Sequence, residues 1–234
     1  MLEKIIHFLC KHPSSRVKFP DDIEMAEYAN LIALREPAVD GVCIPVQCSD
    51  DVSNKMYNGY CHDTMCNNVF AFSPKGKIIF ASINNSESWH DSQVAYKLIE
   101  IVLERCHMYA FCADQGFPRS DALHDKFIGP ISEKTSRKLA PNLVNLLSEK
   151  HNKAISLRQS SEWGMRALQG SFSRLQSSLT SNKRKRHEIL SAIVLLHNFR
   201  TEYVGLNQIA TVFNPFYKQC VYLDGYDRIA RYFA

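Results

Sequence analysis

Residues 108–120 read MYAFCADQGFPRS, and the fold follows from how this stretch is read. Its apolar run, Met108 to Ala113, is short and continuous rather than alternating, the pattern of a strand covered on both faces at the centre of an α/β sheet. Gly116 and Pro118 then break the chain at once. Asp114 stands at that break. In open α/β sheets, ligands and reacting groups gather just beyond the carboxyl ends of the strands, so this acid is a candidate site residue. The competing reading is an Asx turn, in which the side chain only caps the bend.

Upstream, Val94, Leu98, Ile101 and Val102 recur at helical spacing up to Cys106. Ser88-Trp89-His90-Asp91 has the form of a capping box at the start of that helix, which gives Asp91 a structural role. Earlier still, CNNVFAF (66–72) and KIIFASIN (77–84) flank Ser73-Pro74-Lys75-Gly76 and predict a β-hairpin. The segment AVDGVCIPV (38–46) is rich in β-formers and predicts a strand that carries a second acid, Asp40. Residues 1–36 hold two helical patterns: Leu2 to Lys11, and one that begins after Pro20 with Asp21 or Asp22 as N-cap and stops before Pro37.

Downstream the patterns are helical, over 131–149, 153–176 and 186–202. EILSAIVLLHNF (188–199) is apolar nearly all round and should be buried, with His197 a hydrogen-bonded core histidine rather than a ligand. In the middle helix, steps of four and seven residues nearly close whole turns, so Arg158, Glu162, Arg166 and Gln169 share one narrow face. Leu157, Leu168 and Leu175 point away from it. An exposed Arg-Glu-Arg ladder is also common surface decoration.

With 234 residues, 45% hydrophobic and 22% charged, the chain has the composition of an ordinary globular protein. No run of about 18 apolar residues is present, so no membrane-spanning helix is expected, and the N-terminus lacks the pattern of a signal peptide. An intracellular protein is expected. Eight cysteines without a CxxC pair suit reduced thiols better than a disulfide framework. Cys61, His62 and Cys66 approach a zinc pattern but have no second pair at finger spacing. The net charge of +4 is unevenly spread: between Lys126 and Leu190, 13 Lys and Arg face 4 Asp and Glu. A basic half of this kind suits a polyanionic partner or a solvated helical surface. Lys183, Arg184, Lys185 and Arg186 crowd a predicted helix start, where cations oppose the helix dipole. A mobile loop is therefore expected there, available for DNA phosphate or nuclear import.

Three acids thus stand out: Asp40, Asp114 and Glu162. Hydrolysing a phosphodiester with two divalent cations about 3.5–4 Å apart needs a small set of hard oxygen ligands, and three carboxylates suffice when phosphate and water supply the rest. The sequence resembles the Harbinger-type transposases and transposase-derived nucleases of the DDE endonuclease superfamily, from about Phe19 to Phe233. The resemblance rests on DGVCIPV (40–46), YNGYCHDTMCNNVFAFSPKGKIIFASINNSESWHDS (57–92), ADQGFPRS (113–120), SLRQSSEWGMRALQGSF (156–172) and LLHNFRTE (195–202), in that order.

The resemblance implies an α/β, ribonuclease H-like fold: a mixed five-stranded sheet flanked by helices, with a short helical N-terminal segment and a C-terminal extension. The expected division is 1–36 as helical N-terminal remnant, 37–202 as endonuclease domain and 203–234 as extension. It implies that Asp40, Asp114 and Glu162 form the catalytic, metal-binding triad for two Mg²⁺ or Mn²⁺ ions in a DNA endonuclease. Arg158, Arg166, Lys183, Arg184, Lys185 and Arg186 are the expected nucleic-acid contacts, with a separate DNA-binding protein as a further partner, no membrane association, and a nuclear location. Family members carry a DNA-binding helix-turn-helix region well before the first acid, whereas 39 residues precede Asp40 here. They also carry an apolar strand running up to the Asp-Gly pair, where Glu36-Pro37-Ala38-Val39 leaves little room. A truncated copy is one expectation. The alternative is a catalytically inactive, transposon-derived module that binds nucleic acid or protein.

Overall fold

Burial that alternates between the two faces of one long hairpin divides the protein into two helical layers around a sheet. The computed structural model describes residues 2–32, 38–47, 55–106, 108–114, 117, 123, 126–129, 141–205 and 209. The side chains at 32, 38–43, 141–151, 153, 156 and 157 lie outside that description.

The hairpin is β3 (Asp63–Phe72) and β4 (Ile78–Ser86), preceded by a two-residue β2 (Tyr57–Asn58). Along β3, Cys66, Phe70 and Phe72 face one layer while Val69 and Ala71 face the other. The turn closes through the N–H of Gly76 to the carbonyl of Ser73, with Gly76 at φ +81°, where only glycine sits without strain. β1 (Ala38–Pro45) runs antiparallel to β3 from Ala38 opposite Phe72 to Pro45 opposite Met65. On its other side β1 is parallel to β5 (Phe111–Cys112), and β5 is parallel to β6 (Phe127–Ile128). Among the described residues the result is a six-stranded mixed sheet, ordered β2-β3-β1-β5-β6 with β4 also on β3.

One face is covered by α2 (Asp22–Ile32), α3 (Asp91–Val94) and α4 (Tyr96–Arg105), which bury Met25, Tyr28, Val94, Leu98 and Val102 against Val69, Ala71 and Phe111. The other is covered by α5 (Pro141–Ser171) and α6 (Lys183–Val204), through Ala154, Met165, Leu168, Leu190 and Ile193. α1 (Leu2–Lys11) packs on α6. The mixed α/β class, the hairpin and the first two helices are as the sequence predicts. The helices predicted over 131–149 and 153–176 are not separate. Their described parts form the single 31-residue α5, which ends at Ser171, with Leu175 in a following 3₁₀ turn. No Gly or Pro lies between Asn142 and Trp163, so the polar stretch around His151 costs only a few tenths of a kcal/mol per residue and does not break the helix. Residues 131–140 lie outside the described ones.

The expected mobile loop at 183–186 is instead the first turn of α6. Asn182 caps it by accepting the N–H of Lys185 at 3.0 Å. Arg186 is 5% exposed, and its guanidinium donates to Asn84 Oδ1 and to the carbonyls of Thr180 (3.0 Å) and Ser181 (3.3 Å). A cap and three charge-assisted bonds outweigh the roughly 0.3–1 kcal/mol by which each cation opposes the dipole. Asn84, at φ +63°, holds that conformation because its N–H donates to Asn68 Oδ1 (2.8 Å) and its Nδ2 to the carbonyl of Lys183 (2.9 Å).

At the other end of α6, Asn198 is fully buried and pairs with Ile78 as a strand would. Its Oδ1 accepts the Ile78 N–H at 2.7 Å, and its Nδ2 donates to the Ile78 carbonyl at 2.8 Å and to that of Arg16 at 3.1 Å. The neighbouring His197, buried as expected, lies 3.1 Å from the Gly76 carbonyl through Nε2, which must carry the hydrogen because a carbonyl only accepts. Asn198→Ala leaves two buried main-chain groups of Ile78 without a partner and should lower the unfolding free energy in urea by about 2 kcal/mol or more.

Burial pushes the pKa of His197 below its ordinary 6.5. The unfolded chain therefore takes up a proton that the folded chain resists. The contribution of His197 is complete above pH 6.5 and is lost as pH falls through 6.5 towards the depressed folded value. Urea unfolding on either side of pH 6.5 should show a smaller acid loss for His197→Gln than for the unaltered chain.

Candidate functional site

The site is built from a register. Ala38 of β1 stands opposite Cys112 of β5, the last residue of that strand, and the same parallel register carried two residues further would set position 114 beside position 40. Adjacent strands lie about 4.8 Å apart. Phe70 of β3 stands opposite Asp40 on the other side. Alternation gives positions 38, 40 and 44 one face and positions 112 and 114 the same one. Ile44, Phe70 and Cys112 on that face belong to the core beneath α5 and α6.

Phe111, Cys112 and Ala113 are buried and Asp114 is exposed, so the acid emerges where the chain leaves the sheet. The chain stays aligned up to that point, since the Ala113 N–H donates to the Ile128 carbonyl at 2.8 Å. It then turns, and the Phe117 N–H reaches back to the main-chain carbonyl of Asp114 at 3.2 Å. The backbone of Asp40 is described and its side chain is not.

α5 crosses this part of the sheet on a buried stripe of Ala154, Ser161, Met165 and Leu168. Two contacts set its course. Cys112 Sγ donates to the Ala154 carbonyl at 3.2 Å, and ten residues later Gly164 rests on the ring of Phe72. Cys112, Ala38 and Phe72 form one row across three strands, so α5 spans that row, and Glu162 lies between the two contacts. Glu162 is at the flank of the stripe, with 36% of its side chain exposed, and Arg158 Nη1 donates to its Oε1 at 3.1 Å. Arg166 is exposed and Gln169 half-buried on the same flank. Half-exposed ion pairs one turn apart are worth only about 0.3–0.5 kcal/mol, so Arg158 holds Glu162 loosely.

The remaining sequence candidates separate. Lys183, Arg184 and Lys185 are exposed, with Arg184 paired to Glu188 at 3.1 Å and to Glu3 at 3.5 Å. Arg186 has its guanidinium committed inside the fold. The capping box expected from Ser88 to Asp91 is formed two residues later: His90 is the N-cap, and its N–H donates to Gln93 Oε1 at 3.1 Å. Asp91 accepts from Asn67 Nδ2 at 2.9 Å. It ties α3 to β3 and is structural. Cys61 and His62 are exposed in a turn while Cys66 is in the core, so these three do not gather. Among the described side chains no three of His, Cys, Asp and Glu are gathered closely enough to hold a metal ion. Sequence reasoning missed Gly164, the bond from Asn67 to Asp91 and the pairing of Asn84 with Asn68; the one available signal was a glycine inside a helical pattern.

No helix among the described residues is long and apolar enough to cross a membrane. No curated protein and no solved structure matches the chain. The family model for the DDE superfamily endonucleases matches residues 39–198. Because that match runs from the residue before Asp40 to Asn198, and so takes in both parallel strands and the helix that crosses them, the chain belongs to the DDE superfamily of endonucleases.

Proposed function

We propose that this chain is a divalent-metal-dependent DNA endonuclease of the transposase type, in the Harbinger branch, with Asp40, Asp114 and Glu162 as its metal-binding and catalytic carboxylates. The observation that carries the reading is the parallel register, in which Ala38 faces Cys112 and position 40 therefore falls beside Asp114. A ribonuclease H-like arrangement is the fold this requires. In its support, five of the six strands, all but β2, form one continuous mixed ladder, β4-β3-β1-β5-β6, with helices on both faces.

The donor set fits a hard cation. Three carboxylates offer only oxygen, which suits Mg²⁺ or Mn²⁺, while the thiols of Cys66 and Cys112 are buried in the core. When bound, two such ions supply an acidified water and neutralise charge on the phosphate oxygens. The protein does the positioning. Asp40 and Asp114 are carried on neighbouring backbones whose spacing the sheet dictates. Glu162 approaches from α5, and its loose pair with Arg158 lets its carboxylate exchange partners. The exposure of Asp114 leaves its carboxylate accessible to a DNA strand. Arg158, Arg166, Lys183, Arg184 and Lys185 then supply phosphate contacts that carry no sequence information. A site preference falls to a separate DNA-binding partner, and the place of work is the nucleus.

Nicking of supercoiled plasmid with Mg²⁺ or Mn²⁺ tests this reading. Activity should require the divalent ion and fall at least about 10²-fold in Asp114→Ala and in Glu162→Gln, since even small displacements of a reacting group cost that much. A folded chain that binds DNA and nicks it with neither ion is a binding module instead. Replacing Lys183, Arg184 and Lys185 together by Ala should flatten the dependence of log K on log salt by up to about 0.9 for each phosphate no longer neutralised. An unchanged slope removes that turn from the DNA interface.

A further inference from the structure

We infer that Gly164, by admitting the ring of Phe72, sets how closely α5 approaches the sheet and so positions Glu162 against the acids of β1 and β5. This rests on the metal site proposed above. Glycine weakens a helix interior, and Gly164 lies well inside a 31-residue helix. Its use is the contact it permits. A Cβ at this position would stand 2.8 Å from two atoms of the Phe72 ring and 2.9 Å from a third, closer than a non-bonded carbon contact tolerates.

The ring cannot retreat. Phe72 is 1% exposed, packed against Phe70 and edge-on to His197 at 6.1 Å, and His197 is itself bonded to Gly76. Nor can the helix slide freely, because Ala154 is tied to Cys112 and Met165 and Leu168 are buried. Any added methyl must therefore lift the segment between those anchors, which is the segment that carries Glu162. Gly170, in the last turn of the same helix, would have nothing within 4 Å of an added Cβ and is an internal control.

Binding of Mn²⁺, read from the electron paramagnetic resonance signal of the free ion, tests the inference without activity. Emission of Trp163 in a Trp89→Phe background reads the packing of α5 independently of metal. Gly164→Ala should weaken Mn²⁺ binding roughly 10- to 100-fold, the usual cost of losing a residue that orients a metal ligand. It should also shift Trp163 emission. Gly170→Ala should change neither. Adding Phe72→Leu to Gly164→Ala, which vacates the space the methyl needs, should return both towards the unaltered chain. Should Gly164→Ala alone fail to fold, recovery in the double variant supports the inference and failure to recover overturns it. A folded Gly164→Ala with unchanged affinity, or an equal loss in Gly170→Ala, overturns it while leaving the metal site standing. Absence of Mn²⁺ binding by the unaltered chain overturns the metal site, and this inference with it.

Discussion

β1 is the strand on which both halves of the sheet depend, and its two edges are held in very different ways. Towards β3 it has an antiparallel ladder of eight positions. Towards β5 the pairing among the described residues is the register of Ala38 with Cys112. A shift of one residue there would turn position 114 to the opposite face, so the alignment of β5 must come from elsewhere. Burial supplies it. Phe111 packs between Phe19 and Phe127, Phe127 stacks on Phe117 at 5.8 Å, and main-chain bonds at Phe111 and Ala113 tie β5 to the segment around β6. The two-residue strand is fixed by its core face together with its ladder to β6.

The exposed edge of β4 is closed by a helix rather than by another strand. α6 meets β4 at both ends, with Arg186 on Asn84 and Asn198 on Ile78. Twelve helical residues span about 18 Å and six extended ones about 20 Å, so the two elements match in length when they run in opposite directions. Polar pins at the ends fix the helix along its axis, and Leu190, Ile193 and Val194 between them supply the apolar contact. An unpaired edge strand invites pairing with another chain, and here a side-chain amide occupies the place such a chain would take.

Much of this is legible in the sequence because it is local. The hairpin announces itself through two β-rich segments flanking a Gly-containing turn, whereas of the apolar run at 108–113 only Phe111 and Cys112 form the strand before Asp114, and Met108 is exposed. What escapes depends on partners far along the chain. Arg186 reads as one of four surface cations until Asn84, 102 residues away, is seen to receive it. Gly164 reads as a weak point in a helix until Phe72 is found beneath it. The sequence pattern sets the cap of α3 two residues early because Ser88 and His90 both precede a helical pattern, and only the bond from His90 to Gln93 decides between them. The acids at 40, 114 and 162 can be named from the resemblance, whereas the row of Cys112, Ala38 and Phe72 beneath α5 cannot.

The metal site proposed above would also have to reconcile two electrostatic demands. Carboxylates that gather metal ions repel the phosphates they are to act on, and the remedy is positive charge close by but not directly opposed to the acids. The helix α5 meets this with one narrow face. Arg158 and Arg166 flank Glu162 one turn to either side, so in the proposed site the cation that pairs with Glu162 would also be placed to meet phosphate once a metal took the carboxylate. The half exposure of the Arg158–Glu162 pair keeps that exchange inexpensive. Burying the pair would have committed the Glu162 carboxylate inside the fold, as burial has committed the Arg186 guanidinium.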